Sequence, residues 1–276
     1  MRGNDGLDSR VFAFRRDILD TVCGARAGHI GGDFSVTDIL ATLYFRQMRV
    51  DPQNPDDPAR DRLILSKGHS VEALYSVLAN RGFFPREDLK TVSAFGSKYI
   101  GHPTNKVAGI EMNSGSLGHG LSVGVGMALA GRMDGLAYRV YVVIGDGELA
   151  EGSVWEGVMA ASHYGLDNLC AVVDRNRLQI SGRTEDVMGH EDLETRWSAF
   201  GWNVLHAAGN DVDALDAAFD AAKGARGRPS VVIADTVKGF GVSFMENAEG
   251  WHHRVPNAEE YATACDELAR RGEAAR

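Results

Sequence analysis

The sequence predicts an α/β domain in which a parallel sheet is flanked by helices. Three observations carry that expectation. After residue 138, apolar runs of strand length alternate with segments of helical length. Those runs, such as Val140 to Ile144, are continuously apolar, as strands covered on both faces are. And 276 residues with no Pro/Ser-rich linker or charge run to divide them suffice for one large core. A single domain over residues 1–276 is therefore expected.

The elements follow in order. Residues 8 to 22 read as a helix, with Val11, Phe14, Ile18 and Val22 on one face. Gly28 to Gly32 reads as a glycine loop, and Ser35 to Asp38 has the spacing of a capping box ahead of Ile39 and Leu40. The polar, Pro-rich stretch 51–60 is a surface loop. Leu63 to Leu65 is a short strand, and Ser66-Lys67-Gly68-His69 leads into a helix ending near Gly82. Further on, strands are expected at 140–144, 169–173, 202–205 and 230–234, and helices at 152–164 and 213–223. The tail after Asn257 is a terminal helix. In such sheets ligands bind at the carboxyl ends of the strands.

Composition excludes several classes of function. With 29 Lys+Arg against 38 Asp+Glu the formal charge is −9, and the basic residues are scattered, so no nucleic-acid partner is expected. Cys23, Cys170 and Cys265 are far apart and form no CxxC pair, which argues against a disulfide framework or a zinc site. The opening MRGNDGLDSR has no apolar h-region and no apolar run approaches eighteen residues, so a cytoplasmic protein without membrane association is expected. The 33 glycines exceed the roughly 7% of ordinary chains and gather near His29, at 115–126 and at 145–157, where backbone can approach a ligand.

The most informative stretch is Gly145-Asp146-Gly147, followed after 28 residues (148–175) by Asn176. Read as strand, turn, helix, strand and polar loop, it puts the Asp146 carboxylate and the Asn176 amide at the ends of two strands of one sheet. Two hard oxygen ligands there suit Mg²⁺, which completes its octahedron with phosphate oxygens and water. The helix after the turn would offer its N-terminus to the anion. The plainer reading is an ordinary βαβ turn with Asp146 as a cap. The length of the intervening segment and the Asn at its end favour the metal reading.

GDGELAEGSVWEG…VVDRNRLQISG resembles the diphosphate-binding motif of thiamine diphosphate enzymes in its transketolase form. GHIGGDFS, DRLILSKGHS, GHP, GSLGHGLSVGVGMALAG and TVKGFGVSF…WHH match the same family in the same order, over about residues 10 to 265. The resemblance implies the fold of the family's diphosphate domain. It also implies thiamine diphosphate with Mg²⁺ (or Ca²⁺ or Mn²⁺), the metal held by Asp146, Asn176 and the Leu178 carbonyl. His69 and Gly147 would meet the diphosphate, together with Asn176, while Gly115, Ser116 and Leu117 would offer backbone to the aminopyrimidine. Glu151 and Glu156 would lie near a subunit interface, in an acidic network relaying protons between active sites, Glu151 also counting among the cofactor-binding residues. His29, His102 and His252 would line the substrate channel, His252 also touching the cofactor.

The histidines have a plainer reading as hydrogen-bonded structural residues of glycine loops. Five of the nine (29, 69, 102, 119 and 252) fall in glycine-adjacent or loop contexts, which favours a site moving protons at sugar oxygens. His119 and His253 are assigned no role. Ser116 stands where many transketolases have proline, and His119 where they often have glutamine. The larger departure is in length. Transketolases are about twice as long, and their second half supplies the pyrimidine domain with its activating glutamate and the grip on the substrate phosphate.

The expectation is thus one subunit of a two-component transketolase, an α2β2 heterotetramer with a partner carrying the pyrimidine domain. It would move a two-carbon ketol unit from a ketose, usually phosphorylated, to an aldose. One alternative keeps the cofactor and loads the unit onto a carrier protein. Deoxyxylulose-phosphate synthase fits less well in the WHH and GHP segments. From other classes, Gly124-Val125-Gly126 resembles the start of a dinucleotide loop but lacks its third glycine, and a non-catalytic chain would not need the metal ligands.

Overall fold

The structure is a computed structural model, which describes residues 6–189 and 192–276. The expected domain, 1–276, includes residues 1–5 and 190–191, which lie outside the described residues. Its helices are α1 (Leu7–Ala25), α2 (Ile30–Thr42), α3 (Val71–Arg81), α4 (His119–Met133), α5 (Gly152–His163), α6 (Thr184–Met188), α7 (Leu193–Ala199), α8 (Val212–Gly224) and α9 (Ala258–Ala274). The strands are β1 (Arg62–Leu65), β2 (Val140–Gly145), β3 (Leu169–Arg175), β4 (Leu178–Gln179), β5 (Gly182–Arg183), β6 (Asn203–Ala208) and β7 (Ser230–Asp235). Five of them form one parallel sheet in the order β1-β2-β3-β7-β6, and β4-β5 is a small antiparallel pair.

The period of two along each strand separates two cores. Tyr141, Val143, Cys170, Val172, Val232 and Ala234 face one side, where α1, α2, α3 and α8 pack. Val140, Val142, Ile144, Ala171, Val173 and Ile233 face the other, under α4, α5 and α7. Both faces are therefore dry, which explains the continuously apolar strand sequences. The expected strands all form, most running one to three residues beyond the expected ends. At the terminus, Asn257 accepts from the Glu259 and Glu260 amides and Glu260 returns a bond to the Asn257 amide, so a true capping box starts α9.

One expectation about glycine is corrected, and the dinucleotide loop set aside on sequence is absent from its place. The Gly28–Gly32 segment is not a loop: α2 already begins at Ile30, and Ser35 to Asp38 lie inside it rather than at a cap. The glycines serve close approach, since a Cβ on Gly31 would come 2.7 Å from the Trp251 carbonyl oxygen and one on Gly32 would come 2.9 Å from Ser70 Oγ. Gly124-Val125-Gly126 lies within α4. A Cβ on Gly124 would meet Val142 Cγ2 at 2.5 Å, so this glycine lets the helix sit tightly on the sheet and makes no dinucleotide loop.

Candidate functional site

A cleft of about 380 Å³ opens where the carboxyl ends of β1, β2, β3 and β7 come together. Gly145, the end of β2, pairs in register with Asp174 of β3. The residues just beyond, Asp146 and Asn176, are thus side by side, both buried. Asp146 Oδ1 accepts from the Gly147 amide at 2.9 Å, and Oδ2 from the Arg177 amide at 2.7 Å and Thr184 Oγ1 at 3.2 Å. Burial, then the neighbouring Asp174 carboxylate, push its pKa up to about 6, against the lowering pull of those donors. Asn176 Oδ1 accepts from the Leu178 amide and its Nδ2 donates to Ser35 Oγ.

Behind these two stands a buried hub. Asp174 accepts from Lys67 Nζ at 2.5 Å and Ser35 Oγ at 2.7 Å, and also from Thr236 Oγ1. Ser35 therefore passes the anchoring of Asp174 on to Asn176. On the other flank Glu148, also buried, accepts from Ser66 Oγ, the Gly118 amide at 2.8 Å and the Gly145 amide at 3.1 Å. That carboxylate ties the loop after β1, the turn after β2 and the loop before α4 into one floor. Lys238, which follows β7, donates to the Leu178 carbonyl at 3.1 Å and meets His252 Nδ1 at 2.8 Å. Burial, then the charge of Lys67, lower its pKa to about 8.

The opposite wall is a histidine cluster centred on His29. Ring centroids lie 4.6 Å from His29 for His253, 5.1 Å for His69, 5.6 Å for His252 and 6.5 Å for His102. Desolvation is the largest reason the pKa of His29 falls to about 4 and that of His252 to about 3; nearby positive groups add to it, His253 first for His29 and Lys238 first for His252. For His69 burial again comes first, then the charge of Lys67, and both depress its pKa. At neutral pH these three rings are uncharged, able both to donate and to accept at hydroxyl and carbonyl oxygens.

The expected site residues divide into two groups. His29, His69, Gly115, Leu117, Asp146, Gly147, Asn176, Leu178 and His252 all line the cleft, and His102 joins through His29 and through Gly115, whose added Cβ would lie 2.7 Å from its ring. Ser116, Glu151 and Glu156 do not line it. All three are exposed, Glu151 as the residue capping α5 and Glu156 on its outer face. The turn after Asp146 is a short 3-10 segment, Gly147–Ala150, so α5 begins six residues beyond Asp146 rather than directly after it. Sequence reasoning missed Lys67, Glu148, Asp174, Lys238 and the place of His253. Their signal was faint: each lies inside a quoted motif, and only the fold buries Lys67, Glu148, Asp174 and Lys238 and sets the exposed His253 against His29.

The donor set fits a hard cation that arrives with phosphate. The oxygens of Asp146, Asn176 and Leu178 are gathered at two adjacent strand ends, and among the described residues no group of three His, Cys, Asp or Glu could hold a metal alone. Gly147 lines the cleft with Gln179 packed so close that an added Cβ would collide with its side-chain amide, which donates to the Gly147 carbonyl at 3.3 Å. Lys67 and Lys238 supply positive charge on either side.

A family model described as the thiamine diphosphate binding domain of transketolase matches residues 8–269. An apulose-4-phosphate transketolase subunit from Phocaeicola vulgatus is 51% identical over 257 residues, 93% of this chain and 92% of that protein. The 6-deoxy-6-sulfo-D-fructose transketolase subunit SqwG of a Clostridium species is 42% identical over 96% of this chain and 97% of its own. Transketolase of Homo sapiens is 40% identical over 85% of this chain, but only 37% of its own length is matched. Among solved structures, transketolase from Campylobacter jejuni superposes with a TM-score of 0.90 at 30% identity, over 95% of this chain and 42% of that one.

Proposed function

The chain belongs to the transketolase family, and from that premise we propose that it is the thiamine diphosphate- and Mg²⁺-binding subunit of a two-component transketolase. The observation that carries this reading is one cleft holding both parts of the chemistry. A hard-oxygen site at the ends of β2 and β3 faces a cluster of uncharged histidines. In this reading Asp146, Asn176 and the Leu178 carbonyl would hold the metal. His69 and Gly147 meet the diphosphate, and Gly115 to Leu117 present backbone to the pyrimidine. The bound cofactor supplies a nucleophilic carbon and an electron sink for C–C cleavage. His29, His102 and His252 orient the sugar's hydroxyl and carbonyl oxygens and carry protons between them, which neutral imidazoles can do in both directions.

The relatives of matching length are named as subunits, and single-chain transketolases run to more than twice this length. Both favour a partner chain that completes the site, assembled as two copies of each. The two named subunits act on sugars with an anionic end, a phosphate or a sulfonate. Here Lys67 is committed to Asp174 and Lys238 to Leu178 and His252, so we assign the anion grip to the partner and the donor class to anionic ketoses. The unpaired Cys23, Cys170 and Cys265 suit the reducing cytoplasm. The test is ketol transfer by the purified chain alone and after mixing with the co-encoded partner. Negligible turnover alone and recovery on mixing are expected, and full activity from the lone chain would refute the two-component reading.

A further inference from the structure

Two buried acids lie outside the chemistry above. Asp33, in the first turn of α2, is fully buried, and Glu72, in the first turn of α3, is 3% exposed. Asp33 Oδ1 accepts from the Ala73 amide at 3.0 Å. Among the described residues Asp33 Oδ2 and Glu72 Oε2 have no hydrogen-bond partner, and the Ala73 amide that Asp33 accepts from follows Glu72 directly in the chain, which sets the two carboxyls side by side. Two ionised carboxylates in that position would repel and leave both oxygens unsatisfied, with the large desolvation penalty of buried, uncompensated charge. A single proton between them satisfies both.

The pair sits at a strategic place. Asp33 lies one turn beyond His29, its amide bonded to the His29 carbonyl. Glu72 is three residues beyond His69, and its carboxyl presses on Gly28, where an added Cβ would come 3.2 Å from Oε1 and 2.7 Å from Val22 Cγ2. Gly28 has φ +146°, which side-chain-bearing residues rarely adopt, so glycine is what allows that close approach. The rings of His29 and His69 are 5.1 Å apart. We propose that Asp33 and Glu72 share a proton and thereby clamp together the two helix ends that carry His29 and His69, acting as a positioning pair for the histidine cluster.

Among the described residues the charged groups around the pair are engaged elsewhere. Lys67 faces Asp33, but its ammonium is held by Asp174 and the Gly32 carbonyl. The Tyr75 hydroxyl on α3 donates to the Ile100 carbonyl, and Arg15 of α1 is closed on Asp38 and the Phe34 carbonyl, further along α2. His29 and His69 are themselves uncharged near neutrality. Burial raises both acids, Glu72 to about 7, and the Glu72 carboxylate raises Asp33 further. The shared proton therefore remains on the pair at pH values where ordinary carboxyls have lost theirs.

This inference rests on the reading above only in treating His29 and His69 as site residues, and its test needs no turnover. The lone chain is examined by infrared spectroscopy at about pH 8, where an exchange-sensitive carboxylic-acid C=O band is expected. Asp33→Asn and Glu72→Gln should each remove that band, because an amide donates the bond without a titrating proton. The same amide variants should keep the imidazole NMR resonances of His29 and His69 near their wild-type positions, whereas Glu72→Ala, left with an unpartnered Asp33, should displace them. Absence of the band in wild type, or its survival in both amide variants, overturns the shared proton. Unmoved histidine resonances in a folded Glu72→Ala overturn the clamp, and should that variant not fold, the infrared comparison decides.

Discussion

Asp146 shows how one residue can serve two conflicting demands. It needs burial to lie at the strand end, yet burial and Asp174 hold its pKa at about 6 rather than in the usual carboxylate range. A cation that binds the carboxylate must then compete with a proton. Above about pH 7 the acid is ionised and the competition vanishes; as pH falls through 6, Mg²⁺-dependent cofactor affinity should drop, approaching about tenfold per pH unit. Calorimetry in buffers of different ionisation enthalpy should detect close to one proton released per cation bound near pH 5, and almost none at pH 8. Asp146→Ala should abolish both the affinity and its pH dependence. Unchanged Mg²⁺-dependent binding by that variant would exclude the site.

At the scale of elements, the cleft depends on how closely α4 and α2 approach what they pack against. Gly124 lets α4 touch Val142, and the loop before α4 carries Gly115 to Leu117 and the Gly118 amide held by Glu148. Gly124→Ala should force the helix outward at a cost of about 1–3 kcal/mol and weaken cofactor binding with it. Asn257→Ala offers the contrast. It removes the cap of α9, which packs on α1 away from the cleft, and should cost about 1 kcal/mol, a fall in Tm of about 2–4 °C, with cofactor affinity retained. Thermal unfolding and cofactor titration of the two variants side by side distinguish a helix that shapes the cleft from one that stabilises the domain. Equal effects of both on affinity would contradict this division.

For the whole molecule, the rim of the cleft is the telling feature. Ile180 and Val187 line it while remaining 71% and 44% exposed, and the adjacent Met188 is 59% exposed. Among the described residues α4 and α5 also leave Met133 and Met159 outward. Apolar groups gathered round an opening are costly to leave in water and suit coverage by another chain. With its partner the chain should sediment as two copies of each subunit. Ile180→Asp should weaken that assembly and the activity gained on mixing, while the lone variant keeps its fold by circular dichroism. An undiminished complex would show that this rim is not buried by the partner.

Much of this was legible in the linear sequence because it is local. Apolar runs bounded by turns located the strands, the GDG…N spacing found two adjacent strand ends, and the tail after Asn257 read as a terminal helix. A strand's sequence reports burial on both faces, and a motif at a strand end reports a site. The glycines at the start of α2 misled for a local reason as well: glycine signals either a turn or a close approach, and the sequence is silent on which neighbour approaches. Only the tertiary structure decided that Trp251 and Ser70 press on α2, and that Asp174 collects Lys67, Ser35 and Thr236 from three separate segments. It alone set His253 against His29 and Asp33 against Glu72. Those pairings join residues tens to hundreds of positions apart, and they depend on helix packing angles and strand order, which no local pattern encodes.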